Sequence, residues 1–358
     1  MNKRNEIGGG YWLTKSEVDK VQRNLHIKNN IYFISQTEQH LSTCRSALQY
    51  IAGLYEKKII AIPYFTCSTV IDSFSQNGWT VIPFKIKEDF KVDWTDLTRI
   101  VREGKPSLIL MHSYFGFPTI NDNPECIAFI KGKGIDIIND VTCSLLSTYK
   151  RIKSDYYVAS IRKWFPVPDG ALLVGACIPG VNRFNKDLLD SKIDAFTTKA
   201  MYLSEEFHDK TAMLKKFSLA TAIVDAASKP FDMTPFSTSF LNGYEIEEAR
   251  IKRRNNHNRL YNILSQILQI KLPLQEASED IVPYLLPVLV EERNTLQKYL
   301  ADNGVYATVL WTKPKTFETV NFRDDIYDKI LCFPINQSYD ICDMDRIGEL
   351  MYNYYNIR

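Results

Sequence analysis

The stretch "PSLILMHSYFGFPTINDNPECIAFIKGKGIDIIND", residues 106–140, contains the pattern that predicts the fold. It opens and closes with short runs that are apolar almost to their last residues, "PSLILMH" and "IDIIND", and a helical pattern, "NPECIAFIKGKG", lies between them. Wholly apolar runs of this length are typical of strands that are buried on both faces, as in parallel sheets covered by helices. The stretch therefore predicts a strand, a crossover helix and a second parallel strand.

The same alternation continues on both sides of this unit. Upstream, the strand-like runs "KIIAIPYF" and "TVIPFKI" flank the helical segment "CSTVIDSFSQNG". Downstream, the runs "YYVASI" and "GALLVG" predict two more strands. Together they predict an α/β domain with a mostly parallel sheet.

The composition changes beyond about residue 190, where "NGYEIEEARIKRRNNHNRLYNILSQIL" predicts one long helix. The order strand, helix, strand, strand, helix follows, in "IVPYLLPVLVE", "RNTLQKYLADNG", "VYATVLW", "DKILCFPI" and "DICDMDRIGELMYNYYNI". We therefore predict an N-terminal arm and large domain at residues 1–245, and a small C-terminal α/β domain at residues 246–358.

Composition argues against several classes of partner. The chain has 358 residues, a net charge of +2 and 24% charged residues, and it contains no basic stripe of the kind that binds nucleic acid. No apolar run is long enough to span a membrane, and the N-terminus has no signal-peptide core, so we expect a cytoplasmic protein without a membrane partner.

The seven cysteines form no CxxC pair, and their odd number is more typical of reduced thiols than of a disulfide framework. The five histidines are scattered, without an HxxxH spacing. We therefore predict no metal site.

Ligands of parallel α/β sheets bind at the carboxyl ends of the strands, so the polar residues there are the first candidates for a site. These residues are Tyr64, Thr66, His112, Ser113, Asn139, Asp140, Ser160 and Lys163.

Among these candidates, a lysine, an aspartate and a serine have the chemistry that pyridoxal phosphate (PLP) requires. A lysine that forms a Schiff base with PLP needs a carboxylate for the pyridine nitrogen and donors for the phosphate. Lys163 can supply the amine, Asp140 the carboxylate and Ser160 a hydroxyl for the phosphate. The turn "STCRSAL" begins a predicted helix whose N–H groups attract phosphate, and Arg45 within it adds a positive charge.

Each of these signals also has a simpler explanation. An aspartate at a strand end commonly caps a turn, SxxK spacings occur by chance, and "STCRS" can be an ordinary helix start. What favours a PLP site is their order along one α/β scaffold: phosphate turn, aromatic loop, strand-end aspartate, then SxxK.

Over nearly its whole length the sequence resembles the DegT/DnrJ/StrS sugar aminotransferases, a group of fold type I PLP-dependent enzymes. "STCRSALQYI" resembles their SGTxAL phosphate turn, and "LILMHSYFGFP" is similar to their "aiipVHlyGqp" segment. "IDIINDVTCSLLS" resembles "i.viEDaaqAhGa", and "YYVASIRKWFPVPDGALLVG" resembles the lysine segment that ends in "GEGGmlvt". The resemblance implies a fold type I large domain followed by a small C-terminal domain.

The resemblance also implies roles for individual residues. Lys163 carries the Schiff base and moves the proton between substrate and cofactor, and Asp140 pairs with the pyridinium. Ser160 binds the phosphate, and Cys44 and Arg45 stand where the family's Gly-Thr wraps the same phosphate.

Three cofactor-binding positions depart from the family pattern. Cys67 stands at the position of the ring-stacking aromatic residue, which leaves stacking to Tyr64 or another side chain. Ser113 stands in place of the loop histidine, and Cys143 in place of the glutamine three residues after the aspartate.

From the resemblance we expect a homodimeric PLP-dependent aminotransferase. It would take an amino group from a small donor, glutamate, and transfer it to a keto group of a nucleotide-linked keto-sugar, in surface polysaccharide or related biosynthesis. The departures leave open a PLP-dependent dehydratase, a lyase or a non-sugar aminotransferase on the same fold. A non-catalytic binding or regulatory paralogue is the third alternative.

Overall fold

The protein is described by a computed structural model that covers residues 6–25, 32–227, 229–320, 322 and 326–356. Its helices are α1 (Lys15–Arg23), α2 (Cys44–Gly53), α3 (Ser68–Ser75), α4 (Trp94–Glu103), α5 (Pro124–Gly132), α6 (Lys186–Leu203), α7 (Lys210–Ala226), α8 (Pro235–Asn242), α9 (Ile246–Leu264), α10 (Arg293–Asp302), α11 (Ile326–Lys329) and α12 (Ile341–Tyr354). Among these described helices, none combines the length and apolarity needed to cross a lipid bilayer.

The strands confirm the predicted α/β class, because a mostly parallel sheet of seven strands is present. The strands are β1 (Ile7–Gly8), β2 (Gln39–Leu41), β3 (Ile59–Pro63), β4 (Thr80–Phe84), β5 (Leu108–His112), β6 (Asp136–Asp140), β7 (Tyr156–Ala159), β8 (Ala171–Val174), β9 (Leu286–Leu289), β10 (Val305–Tyr306) and β11 (Ile330–Phe333). The sheet contains β2 to β8.

The chain divides into two compact units. Unit 1 contains residues 1–47 and 158–245, and unit 2 contains residues 48–157 and 246–358. One break between the units falls at residue 245, where the sequence predicts a boundary. The division of the chain into domains at residues 1–245 and 246–358 stays a prediction.

In unit 2 the strand order is β4-β3-β5-β6, and each neighbouring pair is parallel. The first four residues of β5 are fully buried, as the wholly apolar run predicts for a strand covered on both faces. The register pairs Leu108 with Asp136 and continues to His112 opposite Asp140. This register brings the polar ends of β5 and β6 together at one edge of the sheet.

In unit 1, β2 pairs with β8 in antiparallel fashion, so that Leu41 lies opposite Ala171. The two long helices of this unit begin at polar caps: the Asn185 side chain accepts from the Leu188 N–H ahead of α6, and the Asp209 side chain accepts from the Ala212 N–H ahead of α7. Such caps satisfy donors that the first helical turn leaves unpaired.

Some predicted elements are shorter in the structure. The run "VYATVLW" forms only the two-residue strand β10, and Thr308 then pairs with Cys332 through two backbone hydrogen bonds as an isolated bridge. The strand predicted from "IVPYLLPVLVE" is confined to β9, which pairs with β11. Apolar runs therefore mark buried segments more reliably than they mark strand ends.

A tight turn at Tyr114–Gly116 follows β5 and requires glycine. Phe115 and Gly116 have φ values of 52° and 102°. A Cβ atom on Gly116 would lie 2.3 Å from the carbonyl oxygen of Val282, which is well inside contact distance. Glycine is therefore required at this position both by the backbone conformation and by the nearby carbonyl of Val282.

We expect Gly116→Ala to lower the free energy of unfolding by about 3 kcal/mol, because the backbone conformation is strained for alanine and the new methyl group overlaps a carbonyl. Chemical denaturation measures this change.

Gly132→Ala is the matched control. Gly132 ends α5, and no heavy atom outside its own helix lies within 4 Å of an added Cβ. We expect unchanged stability or a gain of up to about 1 kcal/mol. Similar losses in the two variants would contradict this account of the turn.

Candidate functional site

A buried hydrogen-bonded chain lies at the carboxyl ends of three strands in unit 2. His112 ends β5 and Asp140 ends β6, and Nδ1 of His112 lies 3.2 Å from Oδ2 of Asp140. On the other side of the imidazole, Nε2 lies 2.7 Å from the hydroxyl of Thr66, which follows β3. The backbone N–H of Thr142 donates to Oδ1 of Asp140 at 2.9 Å. Both carboxylate oxygens of Asp140 are therefore engaged, one by His112 and the other by Thr142.

These contacts decide the charge of Asp140. Burial by itself raises the pKa of this carboxyl, but the hydrogen bond and charge of His112, together with the hydrogen bonds of Thr142, outweigh it and hold the pKa below its ordinary value. Asp140 is therefore an ionised carboxylate at neutral pH, the state that a pyridinium nitrogen requires.

His112 is the histidine that contacts Asp140. Alignment with the family pattern places the loop histidine at Ser113, but the Ser113 hydroxyl points to Asn139, with its oxygen 3.3 Å from Oδ1 of that side chain. The imidazole is displaced by one residue relative to the family pattern. The strand-end position of His112 was the available sequence signal, although position alone does not distinguish a core histidine from a site histidine.

The sequence leaves ring stacking to Tyr64 or to another aromatic side chain. Tyr64 is only 2% exposed, and its ring is packed against Phe317 and Phe322 with centroid distances of 5.7 and 4.8 Å. Trp311 is half-buried, and its ring lies 5.7 Å from that of His112 at an angle of 35°. Within unit 2, Trp311 is therefore the partly exposed aromatic residue beside the His112–Asp140 pair, and it was missed in the sequence because it lies 199 positions from His112 along the chain.

The two cysteines predicted near the cofactor have different environments. Cys67 is half-buried at the N-cap of α3 and makes no side-chain capping bond. Cys143 is buried three residues after Asp140. Their roles in cofactor binding stay predictions.

The lysine segment belongs to unit 1. After β7 the chain forms a single 3₁₀ turn at Ile161–Lys163, with Ser160 as its N-cap. Ser160 is 4% exposed, whereas Lys163 is half-buried. Among the residues that the structure describes, none forms a hydrogen bond or an ion pair with the Lys163 amine. A partly buried amine that is not engaged by a neighbouring side chain is available to react with a carbonyl ligand.

Backbone hydrogen bonds close the loop that follows Lys163. The N–H of Arg162 donates to the carbonyl of Gly170 at 3.2 Å, and the N–H of Gly170 donates to the carbonyl of Ser42 at 3.0 Å. Trp164 is fully buried within this loop, and Tyr11 donates to its carbonyl at 2.7 Å. The lysine turn and the phosphate turn are thus tied together, and the Trp164 side chain is packed inside the loop.

The predicted phosphate turn is the start of a helix, as expected. Cys44 and Arg45 are the first two residues of α2. The Arg45 guanidinium, however, donates to the carboxylate of Asp225 at 2.7 Å and to the carbonyl of Val224 at 3.1 Å. The N–H groups of this first turn are suited to an anion, whereas the Arg45 side chain is engaged at the end of α7.

The residues present fit PLP. The chain offers an amine at Lys163 that has no polar partner in the described part of the chain. It also offers a carboxylate held ionised at Asp140, and a helix N-terminus preceded by the hydroxyl residues Ser42 and Thr43. These are the three groups that attach, polarise and anchor such a cofactor. No group of three or more histidine, cysteine, aspartate or glutamate side chains that could hold a metal ion occurs in the described part of the chain.

No protein-family profile matches this sequence, and no curated protein matches it. Solved structures do match. PseC of Helicobacter pylori, an aminotransferase involved in the biosynthesis of pseudoaminic acid, has a TM-score of 0.69 and 14% identity, over 97% of this chain and 98% of that chain. A DegT DnrJ EryC1 StrS aminotransferase from Brucella abortus has a TM-score of 0.62 and 14% identity, over 96% of this chain and 91% of that chain. Spr1654 of Streptococcus pneumoniae, in its PLP-form, has a TM-score of 0.63 and 17% identity, over 95% of this chain and 91% of that chain.

These matches establish the fold. The chain has the fold of the fold type I PLP-dependent transferases, as the sequence predicts. Within that class it is similar to aminotransferases of the DegT/DnrJ/StrS type over nearly its full length. At identities of 14–17%, these matches support the fold alone, so activity and substrate are argued from the residues of the site.

We expect His112→Phe to lower the free energy of unfolding by about 2 kcal/mol at pH 7, because the ring is kept while a hydrogen bond to a buried carboxylate is lost. The pKa of Asp140 is depressed in the folded protein, so its stabilising contribution is present above the ordinary pKa and is lost as pH falls through the folded pKa. The difference between variant and wild type should therefore shrink as pH falls below about 4. Denaturant unfolding at several pH values measures both effects.

Ser113→Ala is the matched control, because its hydroxyl contacts Asn139 and not Asp140. We expect little change that depends on pH. A loss in His112→Phe that is equal at pH 7 and at acid pH would show that His112 acts by packing alone.

Proposed function

We propose that this protein is a PLP-dependent aminotransferase. The observation that carries the proposal is the half-buried amine of Lys163, which has no polar partner among the described residues and stands at the lysine position of a fold type I chain. The carboxyl of Asp140 supports the proposal, because its pKa lies below the ordinary value and an ionised carboxylate keeps a pyridine nitrogen protonated.

PLP, when bound, supplies an electron sink that stabilises negative charge on the substrate carbon. In the proposed site Lys163 would attach the cofactor through its amine and would act as the general base and acid that moves a proton at that carbon. Asp140 holds the proton on the pyridine nitrogen, and His112 and Thr142 orient Asp140. Ser160 and the first turn of α2 bind the phosphate, with Cys44 and Arg45 at that turn.

We propose an amino group taken from glutamate and given to a keto group of a nucleotide-linked sugar. The likeness to PseC, which acts in the biosynthesis of pseudoaminic acid, supports a sugar acceptor. Cys67, Ser113 and Cys143 are the positions at which this chain differs from the family pattern, so they are the first residues to vary when acceptors are compared.

We also propose that the protein acts as a homodimer in the cytoplasm. The dimer follows from the resemblance to fold type I enzymes, and sedimentation at micromolar concentration tests it. The cytoplasm is supported by the seven cysteines, none of which forms a disulfide.

Lys163→Ala should abolish covalent attachment of PLP, because no amine remains at that position. In the wild-type protein we expect an absorbance band in the near-visible range after PLP is added, and borohydride should fix the label on the peptide that contains Lys163. Transfer activity in the variant should fall by about 10²–10⁴-fold or more, the usual contribution of a general base.

Lys192→Met is the control for attachment to another lysine of unit 1. Burial and the charge of Arg162 lower the pKa of Lys192 to about 8, so a larger fraction of its amine is neutral at pH 7 than for an ordinary lysine. We expect the label on Lys163 to persist in this variant. If borohydride fixed the label on Lys192 instead of Lys163 in the wild-type protein, the assignment of Lys163 would be overturned.

Glutamate added to the PLP-loaded protein should give up to one equivalent of 2-oxoglutarate per bound cofactor, in the absence of any acceptor. Mass spectrometry of the small molecules measures this half-reaction. Cofactor attachment without 2-oxoglutarate would indicate another donor, or a dehydratase or lyase on the same fold. Absence of PLP binding altogether would indicate a non-catalytic binding protein.

A further inference from the structure

A second buried aspartate lies on the loop between Lys163 and β8. Asp169 is fully buried, and its carboxylate accepts from three donors at the start of α8, two hydroxyls and one backbone N–H. The Thr234 hydroxyl donates at 2.8 Å, the Ser237 hydroxyl at 2.5 Å and the Thr234 backbone N–H at 3.1 Å. The sequence motif Asp-Gly predicts only a turn at this position.

This carboxylate forms no ion pair with any residue that the structure describes. Burial raises the pKa of Asp169 to about 6, and the hydrogen bonds of Ser237 and Thr234 offset only part of that effect. An ionised carboxylate in this place is therefore unfavourable for stability at neutral pH. The arrangement is better explained by what the carboxylate holds in place than by a gain in stability.

Asp169 fastens the lysine loop to a helix. Thr234 is the N-cap of α8, and its hydroxyl also lies 3.3 Å from the backbone N–H of Ser237. The carboxylate thus binds the cap and first turn of α8 at once, where the helix dipole favours negative charge. Phe236, in the first turn of α8, packs with Leu13 and Phe196 in an apolar cluster of unit 1, which supports this turn from its other side.

The neighbouring glycine transmits this anchoring to both parts of the proposed cofactor site in unit 1. Gly170 accepts from the N–H of Arg162, beside Lys163, and donates to the carbonyl of Ser42, ahead of the phosphate turn. Its φ of 139° is rarely adopted by residues with a side chain, and an added Cβ would make a tight contact of 3.1 Å with the sulfur of Met233. Fixing Asp169 therefore fixes the point at which the lysine turn and the phosphate turn are joined.

We propose that Asp169 is a positioning residue for cofactor attachment, which holds the turn that carries Lys163 and Ser160 against the N-terminus of α8. It acts through Gly170 and touches neither the cofactor nor the reacting atoms. This inference rests on the proposed function, since it concerns how Lys163 is presented to PLP.

The test compares Asp169→Ala with Asp169→Asn in the full-length protein, with PLP as the probe. We expect Asp169→Ala to raise the dissociation constant of PLP by about 10- to 100-fold and to slow borohydride-trapped labelling of Lys163, because the loop loses its anchor. Asp169→Asn keeps a carbonyl oxygen that accepts from both hydroxyls, so binding should recover to within about threefold of wild type.

Asp209→Ala is the matched control in the same unit. Asp209 also accepts from the first turn of a helix, α7, but it has no contact with the lysine loop. Denaturant unfolding of each variant is measured beside PLP binding. We expect Asp209→Ala to lose stability with unchanged PLP binding, whereas Asp169→Ala loses PLP binding beyond any change in stability.

If Asp169→Ala does not fold, Thr234→Val and Ser237→Ala remove the donors one at a time, and each should weaken PLP binding by about three- to tenfold. Wild-type binding of PLP with unchanged binding in folded Asp169→Ala would overturn the inference, as would equal weakening in Asp209→Ala. Unchanged binding in both donor variants would overturn it too. A wild-type protein that does not bind PLP would instead contradict the proposed function.

Discussion

Burial of parallel strands on both faces is the constraint on which the rest of this structure depends. A strand such as β5, whose first four residues are fully buried, can place polar side chains only where it ends. The parallel register then brings those ends to the same edge, so His112 meets Asp140 and Thr66 meets His112. The candidate site in unit 2 is therefore a direct consequence of how the apolar core is packed.

Two buried aspartates show how local donors decide charge. Burial raises the pKa of both, but Asp140 faces an imidazole and the amide of Thr142, which together reverse the shift. Asp169 faces only hydroxyls and an amide, and its pKa remains at about 6. One carboxylate is therefore held in its ionised form, and the other serves as a buried hydrogen-bond acceptor for a helix start.

The departures from the family pattern look different once side chains are placed. Ser113 stands where the family has a histidine, yet an imidazole still contacts the strand-end aspartate, because His112 lies one residue earlier at the end of β5. The sequence leaves ring stacking to Tyr64 or another side chain. The Tyr64 ring is enclosed by other aromatic rings, whereas Trp311 is a partly exposed ring beside His112. Alignment by motif assigns positions, but side-chain direction depends on the backbone and on partners elsewhere.

The sequence determined the α/β class, most of the strands and helices, and the helix start at Cys44. They depend on local hydrophobic periodicity, strand-end polarity and helix caps, which short segments express by themselves. Only the tertiary structure decided the partners of those residues: His112 for Asp140, Asp225 for Arg45, and Thr234 and Ser237 for Asp169. The partners in these contacts are separated by between 28 and 180 positions along the chain. No local sequence pattern encodes which distant donor will face a buried acceptor.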